Sequence, residues 1–316
     1  MIPIESPGPD LVTALANARS AVEDHMVRAD RAGIIWREET VSELLWVHAH
    51  PHISCADFSR KQENRVGADW LWWWVDGSGE CFGLLVQAKR LHHSQSQQPH
   101  AQLDFGHGDG EQFRRLVGTA DRLGVPAAYI VYFGGVEHRY GLSCEADDHT
   151  SQCLPCKRRS VSVITALQAG MLLGASQRDA ATGTFLYSKP LEDLVNPDLA
   201  ARPIQDLNLC NVDMELRRLL LTPQVGARLV AKEVFRMVAE MRMGQLSAAV
   251  ADRVELEDDI IFPDLPLDSG HFSRPYYPYV MRGLRRRLPD TVQHVLNGKP
   301  PPEEFHGVAG LVVVYC

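Results

Sequence analysis

Asp69, Gln87 and Lys89, with Glu63 six residues before the first, are the side chains on which chemistry can be built. Carboxylate and amide oxygens are hard donors suited to Mg²⁺ or Mn²⁺. A lysine beside them can orient an attacking water or neutralise charge that develops on phosphorus. Metal-dependent phosphodiester cleavage needs that combination, so the sequence reads as a nuclease.

The spacing predicts how these residues meet. Trp70–Val75 and Cys81–Val86 are rich in the aromatic and aliphatic residues that strands prefer. Between them, Asp76-Gly77-Ser78-Gly79-Glu80 has turn composition. A hairpin centred on Ser78 sets Asp69 across from Gln87. Lys89 then projects from the same face as Gln87, because side chains alternate. A slip of one residue would turn both away. Trp70, Trp72 and Trp74 share one face and are expected to pack beneath a helix.

The surrounding elements follow from periodicity. Leu11, Leu15, Ala18, Val22 and Met26 predict a helix over 10–30. Val41, Leu44, Leu45 and Ala49 predict a second over 39–49, ended by Pro51. Ile53 to Arg60 reads as a strand and 92–110 as an exposed loop. Phe113, Leu116, Val117, Ala120 and Leu123 mark a helix closed by Gly124. Ala127–Phe133 suits a buried parallel strand. Later come a cysteine-bearing loop, a helix near 161–174, and helical segments across 212–253 broken at Thr222-Pro223. A basic helix near 278–288 and a strand from Val308 to Tyr315 complete the order. The expected class is α/β, its core a helix, a three-strand meander, a helix and a strand. Residues 1–190 form that core, and 191–316 a mainly helical C-terminal extension.

With 45% hydrophobic and 23% charged residues, the 316-residue composition is that of a globular protein. No apolar run approaches a membrane span and Met1–Asp10 has no signal-peptide character, so a cytoplasmic protein without membrane contact is expected. Seven cysteines, an odd number, argue against a disulfide framework; Cys55, Cys81, Cys210 and Cys316 read as small buried hydrophobes. The net charge of −8 weighs against broad duplex binding. Basic residues cluster locally, however. Arg60, Lys61, Arg65 and Arg90, nearest the hairpin, are the expected nucleic-acid contacts.

The element order and the residues Asp69…Gln87-Ala88-Lys89 resemble the PD-(D/E)xK, or restriction-endonuclease-like, nuclease superfamily in its Gln-x-Lys variant. The stretch Gly67-Ala68-Asp69-Trp70 with Trp72-Trp73, followed by Gln87-Ala88-Lys89-Arg90, also resembles a bacterial group with a GADWxWW…QAKR signature. The resemblance covers roughly 36–135. It implies Asp69 as principal metal ligand, Gln87 as a second through its amide oxygen, and the backbone carbonyl of Ala88 as a third. Lys89 would position the attacking water. A glutamate on the preceding helix completes such sites, here Glu39 or Glu43, with Glu63 a further candidate. Mg²⁺ or Mn²⁺ is the implied cofactor and DNA the favoured substrate over RNA. A homodimer, or a partner in antiphage defence, is implied by the same likeness.

Two other arrays stand apart from the hairpin. Cys144, His149, Cys153 and Cys156 form a C-x4-H-x3-C-x2-C pattern whose number and softness match a structural Zn²⁺ in the loop 144–156. His48, His50 and His52 alternate as in metal-dependent amidohydrolases, a reading that requires Leu44–Val47 to be a barrel strand. Two non-catalytic alternatives stay open: a degenerate nucleic-acid or partner-binding module on the same fold, and an interaction protein organised by the zinc loop.

Overall fold

The computed structural model describes residues 10–58, 70–93, 101–106, 109–139, 141–142, 153–200, 203–204, 207, 209, 212–241, 252–257, 259–268 and 272–316. The strands in chain order are β1 (Ile53–Asp57), β2 (Trp70–Val75), β3 (Cys81–Arg90), β4 (His92–His93), β5 (Ala101–Gln102), β6 (Ala127–Tyr132), β7 (Val161–Thr165), β8 (Lys189–Pro190), β9 (Arg253–Glu255), β10 (Asp264–Pro266), β11 (Leu284–Arg285) and β12 (Gly310–Tyr315). Eight of them form one mixed sheet in the order β1-β12-β2-β3-β6-β7-β8, with β11 paired to the start of β3. The fold is α/β.

The hairpin is in register about Ser78. Val75 pairs with Cys81 and Trp70 with Val86, and Gly79 closes the turn at φ +89°. β3 continues beyond its last described pair with β2 and pairs in parallel with β6 from Leu85–Ala127 to Arg90–Tyr132. Helix α3 (Glu111–Arg122) makes that crossover, ending at Leu123 with Gly124 left-handed at φ +62°.

One expectation is corrected. β1 is not the neighbour of β2, so the three strands do not make a meander; β12 lies between them, antiparallel to β1 and parallel to β2. Burial explains the order. Five of the six residues of β12 are buried, which only a strand covered on both faces and both edges can satisfy, whereas β1 has an alternating pattern suited to an edge. The helix Gly226–Glu240 packs on this same sheet, so residues beyond 191 share a core with the N-terminal helices and strands.

Each face of the sheet has its own core. On one side Trp72, Trp74, Leu84, Val86 and Ile130 pack under α1 (Leu11–Arg31), α2 (Glu38–Ala49) and the Gly226–Glu240 helix. Asp10 caps α1 by accepting from Val12 N at 2.9 Å. Trp70 joins this side, edge-on to Trp46 of α2 with centroids 4.0 Å apart. On the other side Leu71, Trp73, Leu85, Tyr129 and Val131 meet α3 through Leu116, Val117 and Ala120.

Two further local readings are revised. Residues 161–165 form β7 rather than the start of a helix, because five buried, largely β-branched residues are better served by the sheet. The helix Ala166–Met171 follows, opened by a Thr165–Gln168 capping box. The basic segment is a short helix, Tyr276–Met281, followed by β11. Among the described residues no helix is long and apolar enough to cross a membrane.

Candidate functional site

Residues 87–90 of β3 extend beyond the last described β2 pair, Trp70–Val86. Alternation along β3 puts Gln87 and Lys89 on the Leu85 side, toward α3, and Ala88 and Arg90 on the other. Gln87 is 3% exposed, and its Oε1 accepts no hydrogen bond among the described residues. A buried carbonyl normally has a donor or a cation to face. Lys89 Nζ donates to Gln112 Oε1, in the first turn of α3, at 2.6 Å.

Two helix N-termini converge on this end of β3. That of α3 arrives with Gln112, and that of α2 is tied to Arg90. The Arg90 guanidinium donates to Trp36 O at 2.8 Å, lies 3.6 Å from Glu38 and covers the Trp36 ring at 5.6 Å. Neither α2 nor α3 has a side-chain N-cap bond, so both present backbone N–H groups and positive dipole ends. Ser42 bonds Tyr132 OH at 2.8 Å and fixes α2 over β6.

A recess of about 270 Å³ opens there, lined by Glu38, Lys89, Arg90, His92, Asp104 and Gln177, among others. Burial first, then the neighbouring Arg90, pushes the His92 pKa below that of a free imidazole. Asp104 holds its loop by accepting from Gly106 N at 2.7 Å.

The sequence reading missed Glu38, Asp104 and Gln112. For Asp104 a signal existed: Ala101, Leu103 and Phe105 alternate with Gln102, Asp104 and Gly106, and the first three are buried. That is strand-like patterning inside a segment read as exposed loop. Gln112 and Glu38 become visible only once the helix starts are docked.

The other predicted residues are distributed as follows. Glu39 and Glu43 line a separate recess of about 260 Å³ with Arg37, Asp57, Phe58 and Trp70, at the start of β2. Asp69, Glu63, Arg60, Lys61 and Arg65 lie outside the described residues. So do Cys144 and His149, while Cys153 and Cys156 are buried at the start of the short helix Leu154–Arg158. Among the described residues no three His, Cys, Asp or Glu side chains are grouped to hold a metal. The amidohydrolase reading is overturned: Leu44–Val47 belongs to α2, and His48 and His50 end a helix rather than lining a barrel. Cys81 is buried, but Cys55 and Cys316 are exposed, on an edge strand and just past β12 respectively.

The sheet and the polar end of β3 define an α/β protein with a recess at the carboxyl end of a strand, where open α/β sheets commonly bind ligands. The chain belongs to the family of unknown function DUF6615, matched over residues 11–315. No curated protein and no solved structure matches it.

Proposed function

We propose that this protein is a divalent-metal-dependent nuclease built on a restriction-endonuclease-like core, acting on DNA. The observation that carries the reading is the buried Oε1 of Gln87, without a donor among the described residues, on the same strand face as Lys89. A hard cation would satisfy that oxygen, and Mg²⁺ or Mn²⁺ fits a donor set of amide, carbonyl and carboxylate oxygens. Gln87, the carbonyl of Ala88 and Asp69 would hold it, with Glu38 and Asp104, which line one recess with Lys89, as further carboxylates. The metal would supply Lewis acidity and a lowered pKa for water.

The chain's own groups do the rest. Lys89, steered by Gln112, presents an ammonium to a phosphate in the recess and stabilises charge that builds on its oxygens. The uncapped starts of α2 and α3 add anion-attracting N–H groups. A role in bacterial defence belongs to this proposal, on the strength of the family likeness alone.

Lys89→Ala tests it. Loss of one such donor lowers the rate by about 10²–10³, with an unchanged circular dichroism spectrum. Mg²⁺- or Mn²⁺-dependent plasmid cleavage at wild-type rate would refute the assignment. Binding without cleavage is the second reading, favoured by glutamine in place of an acid at 87; a salt-sensitive gel shift with no cleavage under any divalent ion would select it.

A further inference from the structure

We propose that Ile34 and Ile35, at the turn between α1 and α2, form an apolar wedge that inserts at a base step of a nucleic acid, while Arg28, Arg31 and Arg37 hold its phosphates. The inference rests on the nucleic-acid reading above and specifies how the substrate is gripped.

The turn has a built conformation. Gly33 takes φ +68°, its N–H reaching Asp30 O at 3.0 Å, and Ile34 N–H reaches Ala29 O at 2.9 Å. These two bonds make a Schellman motif, in which the residue after the glycine usually folds back on the helix. Here it does not: Ile34 is 62% exposed and Ile35 74%. Two adjacent large aliphatics in water, on a turn with fixed backbone, make a contiguous apolar tip suited to contact with a partner.

Charge says which kind. Arg28, Arg31 and Arg37 make no ion pair among the described residues, and His25 joins Arg28 and Arg37 around a recess of about 530 Å³ that the two isoleucines also line. In a chain of net charge −8, Arg28 and Arg37 beside the isoleucines, with Arg31 in the same last turn of α1, give the tip a local positive rim that suits a polyanion. Aliphatic side chains flanked by arginines are a recurring device for unstacking bases.

The turn is also joined to the candidate site. Trp36, the next residue, donates its indole N–H to Asp30 at 3.0 Å and carries Arg90 of β3 over its ring. Two residues later, Glu38 lines the recess of Lys89. A strand seated in that recess would pass the isoleucines.

The test uses duplex and single-stranded DNA carrying 2-aminopurine, in EDTA so that no cutting occurs. Wild type should raise the fluorescence at saturation by unstacking the reporter. Ile34→Ala/Ile35→Ala should abolish the rise and weaken binding roughly tenfold. Arg28→Gln/Arg31→Gln/Arg37→Gln should lower the salt slope of log K by about 0.9 for each phosphate left without its arginine. Wild-type binding and fluorescence from the double isoleucine variant would overturn the wedge and leave the nuclease reading standing. No binding of wild type to any DNA or RNA, either in EDTA or with Ca²⁺ as a non-cleaving ion, would sink both. Capture by anionic vesicles, lost in the double variant and without nucleic-acid binding, would reassign the tip to a lipid surface and likewise overturn the proposal.

Discussion

Replacing Gln87 by methionine separates a metal ligand from a core residue. Methionine has nearly the same length and shape but no polar atom to leave unmet. In the absence of metal, the buried Oε1 lacks a donor among the described residues, and such a group costs about 1–3 kcal/mol. Gln87→Met should therefore raise stability in EDTA by about 1 kcal/mol, allowing for the loss of the amide N–H groups. At about 2 °C per kcal/mol for a chain of this size, that is a gain of about 2 °C. Metal reverses the ranking. At a hundred times its dissociation constant, a bound ion stabilises wild type by about 2.7 kcal/mol, or about 5 °C. The variant should gain nothing. Paired thermal melts, in EDTA and in Mn²⁺, read both effects. A Gln87→Met protein that melts below wild type in EDTA and keeps the metal-induced rise would show that the orphaned oxygen does not face a cation, and the site as drawn would be wrong.

Gly310→Ala should destabilise the protein by about 1–3 kcal/mol, because a Cβ there would overlap the Trp70 ring where β12 pairs with β2; a urea midpoint equal to wild type would count against that close approach. Trp46→Ala removes the partner of Trp70 and should cost about 3–5 kcal/mol by the same measurement. Lys232, fully buried on the Gly226–Glu240 helix, has its pKa held down to about 8, first by burial and then by Arg236. Its folded value lies below the ordinary 10.5, so the unfolded chain binds the extra proton between those limits and stability rises with pH there. Wild type should thus gain on Lys232→Met between about pH 8 and 10.5, with no change in their difference from pH 6 to 7.5; urea midpoints across that range check the sign.

Local chemistry made the hairpin legible. Two apolar runs and a five-residue turn with glycines flanking Ser78 leave one register, and the structure has it. Helices α1, α2 and α3 were equally readable from their apolar spacing and their stops. The place of β12 was not, since nothing near Gly310 in sequence names Trp70 as its neighbour. The β7 segment was misread because Val161–Thr165 is too short for periodicity to separate strand from helix. At the end of β3, the shared face of Gln87 and Lys89 was legible from their own strand. Their companions Glu38, Asp104 and Gln112 come from three other segments and are brought together only by packing.

The parallel pairing of β12 with β2 joins positions 240 residues apart, Trp70 and Gly310. At roughly 5–20 residues per second on the ribosome, the Trp-rich hairpin waits on the order of 12–50 s for the strand that closes its flank. During that interval an apolar ladder edge is open to wrong partners, a hazard that chaperones exist to cover. The same delay ties the hairpin to a finished chain. A polypeptide interrupted before residue 310 lacks the strand that flanks β2, so a fragment released early should not hold the recess at the end of β3 in place.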